Sequence, residues 1–118
     1  MSIAVAVTDN AEGRAALEAA AAEATALSVP LVVVDLTGAD DALAVPAGVV
    51  HETAVADVPA GADEIEQVLQ VLEDRPEVTR LVVGVRRRSP IGKAVLGSIA
   101  QRLILEAPVP VLAVKAAG

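Results

Sequence analysis

The sequence predicts an α/β fold: an open five-stranded parallel sheet, doubly wound, with helices on both faces. Three observations predict it. Short, unbroken apolar runs recur at Ile3–Val7, Leu31–Val34, Leu81–Val83 and Val109–Val114, and such runs mark strands covered on both faces. Stretches with helical spacing lie between most of them, and strands alternating with helices through short joins imply a parallel sheet. The chain of 118 residues has the length of one domain. Its composition is 54% hydrophobic with no Phe, Tyr or Trp, so Val, Leu, Ile and Ala must fill the core.

The elements follow in order. Ile3–Val7 is the first buried strand, and Asp9 with Glu12 has the Asp-x-x-Glu form of a helix start. Gly13, Leu17, Ala20, Ala24 and Leu27 then share one thin helix face, which allows close packing on a sheet, and Pro30 stops the helix. Leu31–Val34 is the second strand and ends in Asp35. Between Leu36 and Gly48 the pattern weakens to a loop, with at most one helical turn at Asp40–Leu43; a full helix between the second and third strands is not expected. Val49–Val55 alternates around His51 and Glu52 like an edge strand. Asp63 with Glu66 opens a helix whose inner face is Ile65, Val68, Leu69 and Leu72, and Pro76 ends it. The strand Thr79–Val83 follows. A last helix presents Ile99, Leu103 and Ala107, is closed by Pro108, and leads into the final strand Val109–Val114, with Pro110 near its start or at an edge.

The most informative stretch is Leu81–Gln101. It leaves the strand at Gly84, passes Arg86, Arg87 and Arg88, turns through Ser89–Lys93, and re-enters regular structure at Gly97-Ser98. Ser98 and Gln101 have the spacing of a capping box. A glycine- and guanidinium-rich loop between a parallel strand and a helix N-terminus suits a phosphate. The same features also serve a plain turn, and the cations also serve as solvated charges offsetting an acidic surface. Gly92-Lys93-Ala94 is not a P-loop, because no Ser or Thr follows the lysine. In open parallel sheets ligands bind beyond the carboxyl ends of the strands, where strand order reverses. Thr8-Asp9, Asp35 and Gly84 fall on that rim.

Several function classes are disfavoured. Without cysteine there are no disulfides and no thiolate metal sites, which fits a cytoplasmic protein. A net charge of −7 argues against general nucleic-acid binding. No apolar run approaches the roughly 18–20 residues of a membrane span, and MSIAVAV lacks the basic region of a signal peptide. His51 is the sole histidine and has no ligand cluster around it, so no metal site is expected. No nucleophile–base pair stands out, so no enzymatic activity is expected. A phospho-receiver would need several acids at the first strand tip, where only Asp9 is offered.

The spacing of Gly84, position 87 and Gly97-Ser98, with LVVG before it and GSIAQRLILEAPVPVLAVK after it, resembles the universal stress protein family. So does the opening IAVAVTDN…RAALEAA. The resemblance implies an open five-stranded sheet, a homodimer formed through the last strand, Val109–Val114, and, in one branch, binding of ATP with Mg. It implies adenine and ribose near Val7, Thr8 or Asp9 and against the Val33 backbone. It implies ribose and inner phosphates at Gly84 and position 87, and outer phosphates on Gly97, Ser98 and Ile99. Arg86, Arg87 and Lys93 are then candidates to neutralise charge. Two departures stand out. Arg87 replaces the middle glycine and either crowds a ligand or grips a phosphate; and Thr8-Asp9 stands where an aspartate followed by a small residue is usual. The implied role is regulation by nucleotide binding, the alternative a dimeric interaction module of the same fold that binds no nucleotide.

Overall fold

A computed structural model describes residues 1–37, 44–54, 63–88, 93–95 and 97–116. The elements are β1 (Ser2–Val7), α1 (Ala11–Leu27), β2 (Leu31–Asp35), β3 (His51–Ala54), α2 (Glu64–Asp74), β4 (Val78–Arg88), β5 (Lys93–Val95), α3 (Ser98–Glu106) and β6 (Val111–Lys115). Five strands form one parallel sheet in the order β3-β2-β1-β4-β6, and β5 pairs antiparallel with the far end of β4. The doubly wound parallel sheet is therefore as expected. Alternation along the strands divides the core. Ile3, Val5, Val7, Leu31 and Val33 pack with Leu17, Ala20 and Ala24 of α1. Ala4, Ala6, Val32, Val34 and Val83 pack on the other face with Ile65, Val68 and Val71 of α2 and Leu103 of α3. Strand order reverses between β1 and β4, which opens a crevice at their carboxyl ends.

Local chemistry sets the ends of the elements. The cap of α1 is Asn10, not Asp9: its Oδ1 accepts the Gly13 amide at 2.8 Å and the Thr8 hydroxyl at 2.6 Å. The neutral amide side chain serves both donors one residue nearer the helix than the expected acid. The helix ends before Pro30, where Ser28 turns left-handed (φ 55°) and gives its amide to the carbonyls of Ala24 and Thr25. Leu27 is not on the buried face; it is 41% exposed, and Ala16 and Ala21 complete the seam. Asp63 caps α2 as expected, with Oδ1 accepting the Glu66 amide at 2.8 Å. Val71 lies deeper on that helix than Leu69, which only flanks the core. Arg75 and Ala107, each followed by proline, leave helical geometry and end α2 and α3.

Three boundaries differ from expectation. β3 is the edge strand, shortened to His51–Ala54 among the described residues, and residues 44–50 carry no helix; the suggested turn at Asp40–Leu43 lies outside the described residues. The chain does not leave β4 at Gly84. It continues to Arg88 and doubles back, with Arg86, Arg87 and Arg88 opposite Val95, Ala94 and Lys93. The last strand begins at Val111 and reaches Lys115, because the carbonyl of Pro110 takes the Leu81 amide just before the ladder starts.

Candidate functional site

A cavity of about 270 Å³ opens where β1 and β4 diverge, slightly under the range of about 300–1,000 Å³ common for small-molecule sites. Its floor is Ala6, Val83, Ala100 and Leu103, and its rim carries Thr8, Asn10, Glu12, Gly84, Arg86, Gly97, Ser98 and Ile99. A more open hollow of about 520 Å³ adjoins it between the starts of α2 and α3, lined by Asp63, Glu64, Ile65, Ser98, Ile99 and Arg102.

The crevice thus gathers six of the residues singled out in the sequence: Thr8, Gly84, Arg86, Gly97, Ser98 and Ile99. Others lie elsewhere. Val7 and Val33 are buried in the core layer beneath α1, on the opposite face of the sheet. Asp9 is exposed and does not line the cavity. Asp35 closes a turn at the end of β2, its Oδ1 accepting the amide and hydroxyl of Thr37 at 2.9 and 2.6 Å. Arg87 and Lys93 stand in the β4–β5 ribbon. His51 begins β3, at the amino ends of the strands and away from the crevice.

The two glycines of the crevice differ in kind. A Cβ on Gly84 would collide with the Glu12 carbonyl, and one on Gly13 with the Thr8 backbone. These glycines let the first turn of α1 lie directly on β1 and β4. At Gly97 a Cβ would meet no described atom within 4 Å, and φ is −68°. Among the described residues nothing stands where a side chain would go, so glycine is favoured there only as a helix cap.

The Ser98–Gln101 capping box does not form. Gly97 is the cap, Ser98 is already the first helical residue, and the Gln101 amide donates to the Gly97 carbonyl at 3.0 Å. No side chain caps α3 among the described residues, whereas Asn10 and Asp63 cap α1 and α2. The first amides of α3 therefore face the crevice with the positive end of the helix dipole behind them.

Sequence reasoning missed Glu12, which it read only as part of a helix start. Its carboxylate lines the crevice and accepts from Arg86 Nε at 2.9 Å. That bond, the largest influence, holds the Glu12 carboxyl below the usual range against the opposing cost of burial. Only the capping spacing pointed to this position. Among the described residues, no group of three or more His, Cys, Asp and Glu could hold a metal, and no helix is long and apolar enough to cross a membrane.

The sequence pattern of the universal stress protein family matches residues 35–115. A universal stress protein of Mycolicibacterium smegmatis is 42% identical over 119 aligned positions, covering 90% of this chain and 91% of its own. The structure of a universal stress protein from Archaeoglobus fulgidus superposes with a TM-score of 0.70 at 28% identity, over 98% of both chains. A second structure from that organism, a universal stress protein in complex with dAMP, shares the fold with a TM-score of 0.64 at 23% identity, again over 98% of both chains.

Proposed function

The chain belongs to the universal stress protein family, and from that premise we propose that its crevice binds an adenine nucleotide, ATP with Mg included, and acts in stress regulation by binding rather than by chemistry. The observation that carries this reading is the start of α3. Amides unblocked by any described side chain lie at a cavity beside a glycine whose Cβ position is open among the described residues. That combination suits an oxyanion held close to the backbone. A protein of the same fold has been solved with dAMP, so the architecture accommodates an adenine nucleotide.

In this reading the phosphates lie on Gly97, Ser98 and Ile99, and the sugar and base lie toward Thr8 and Gly84. Arg86, Arg87 and Lys93 supply positive charge from the ribbon. The base enters from the α2–α3 side of the sheet, since Val7 and Val33 face the other layer. The described lining offers hydroxyls, amides and one ion pair, with no histidine among them. The protein acts in the cytoplasm as a homodimer joined through β6, and nucleotide occupancy changes the surface it shows to partners.

The absence of Trp and Tyr makes the test direct. The purified protein absorbs hardly at all at 280 nm, so a band at 260 nm reports a bound nucleotide. Calorimetric titration with ATP and Mg should then give saturable heat after the nucleotide is stripped. A second reading draws on the carboxylate of Glu12 inside the crevice, which opposes an anion: a dimeric interaction module that takes no nucleotide. No 260 nm band and no heat, with the dimer intact, would favour it.

A further inference from the structure

Glu12 and Arg86 meet across 74 positions of sequence and join the first turn of α1 to β4 along one wall of the crevice. The pair is lopsided. The Glu12 side chain is 13% exposed and its backbone is pressed against Gly84, whereas the Arg86 side chain is 71% exposed. The carboxylate end of the pair is largely shielded and the guanidinium end largely open to solvent. No other hydrogen bond ties the Arg86 side chain to the described residues.

We propose that Glu12 selects ligands by charge: it holds the Arg86 guanidinium at the crevice wall, and a phosphate-bearing ligand gains that guanidinium only by taking it from the Glu12 carboxylate. This rests on the reading of the crevice as a phosphate site. Ion pairs with one exposed member are weak, and a phosphate offers guanidinium a bidentate partner of higher charge. The exchange therefore proceeds, but it leaves the Glu12 charge uncompensated beside the new anion. The penalty grows with the number of ligand charges. It is absent for a nucleoside, small for a monophosphate and largest for a triphosphate. Glu12 is thus a positioning residue that flattens the preference for long phosphate tails which the amides of α3 and the ribbon would otherwise impose.

The test is calorimetric titration of the wild type, Glu12→Gln, and Glu12→Gln with Arg86→Gln, using adenosine, AMP, ATP and inorganic tripolyphosphate. Glu12→Gln should tighten ATP and tripolyphosphate about three- to fivefold, roughly the effect of one charge at a partly exposed site. AMP should tighten less and adenosine not at all, and adding Arg86→Gln should remove the gain. ATP and tripolyphosphate affinities within twofold of wild type, or a gain that survives loss of Arg86, would overturn the proposal while leaving nucleotide binding intact. Tripolyphosphate tightened by Glu12→Gln in a protein that ignores every adenine compound would uphold it and end the adenine reading. No binding of any probe by any variant would end both. Should Glu12→Gln fail to fold, Arg86→Gln at its exposed position gives the same answer. It uncovers the carboxylate and should weaken ATP tenfold or more without touching adenosine; unchanged ATP affinity would refute the proposal.

Discussion

At the scale of single residues, Gly84 and Gly97 look alike in the sequence and differ in the structure. Gly84 is needed because the Glu12 carbonyl occupies the space a side chain would take. Gly84→Ala should lower stability by about 2 kcal/mol, the cost of forcing extra volume into a packed contact, measured by chemical denaturation. Gly97→Val should cost at most about 1 kcal/mol, the loss of a favoured cap residue, since its Cβ meets no described atom within 4 Å, and should abolish the heat of ATP binding. Retained heat would mean that the phosphates lie elsewhere. The spacing of these glycines was legible in the sequence. Their separate reasons were not, because the need for Gly84 comes from the approach of α1, an element remote in sequence, while nothing described crowds Gly97. The same distance hid the Glu12–Arg86 pair.

At the scale of elements, helix starts were easier to place than to explain. Sequence pointed to an acid at each of the first two caps; only Asp63 serves in that way, and Asn10 takes the other place. Asn10→Ala should cost about 1 kcal/mol, read from the thermal midpoint, and Asp9→Ala much less. The Asp63 carboxyl is held below its usual range, chiefly by the Glu66 amide it accepts, with Arg102 adding to the effect against a desolvation cost. A carboxylate whose folded value is depressed stabilises fully above the unfolded value of about 4 and loses that contribution as pH falls through the lower folded value. The gap in unfolding midpoint between wild type and Asp63→Asn should therefore be widest near neutrality and narrow below about pH 4. A gap unchanged at pH 2.5 would show that the cap does not depend on ionisation. The ribbon of β4 and β5 escaped sequence reading for a plain reason. Three successive arginines lack the apolar alternation that marks a strand, and their pairing with Lys93–Val95 rests on backbone hydrogen bonds.

At the scale of the whole molecule, topology was the most legible feature. Four apolar runs and the helical spacing between them suffice for a parallel sheet, because burial on both faces requires the first and connection length the second. What remained hidden was which face of the sheet meets the crevice. Val7 was expected beside a ligand and Val33 to meet it through its backbone; strand alternation turns both side chains toward α1, which leaves only the Val33 backbone for such a contact. Among the described residues β6 pairs with β4 alone, so the sheet ends there in an open edge, and Leu112 is 41% exposed upon it. An apolar edge with unmet backbone groups invites a second copy. Sedimentation equilibrium should find a dimer at micromolar concentration, and Ala113→Pro, which removes an edge donor, should yield monomers. A monomeric wild type would leave this edge without a partner of its own kind.

The contact between Gly84 and the first turn of α1 has a mechanical consequence. With no side chain as a cushion, helix and strand are butted together there, and the joint acts as a fulcrum. Whatever displacement a ligand imposes on the arm that starts at Arg86 must bend beyond that point. Behind it β4 is held by β1 on one side and, as far as Val85 and Lys115, by β6 on the other. A signal of ligand occupancy would therefore be expressed first in the arm beyond Val85, where β4 has left β1 and β6.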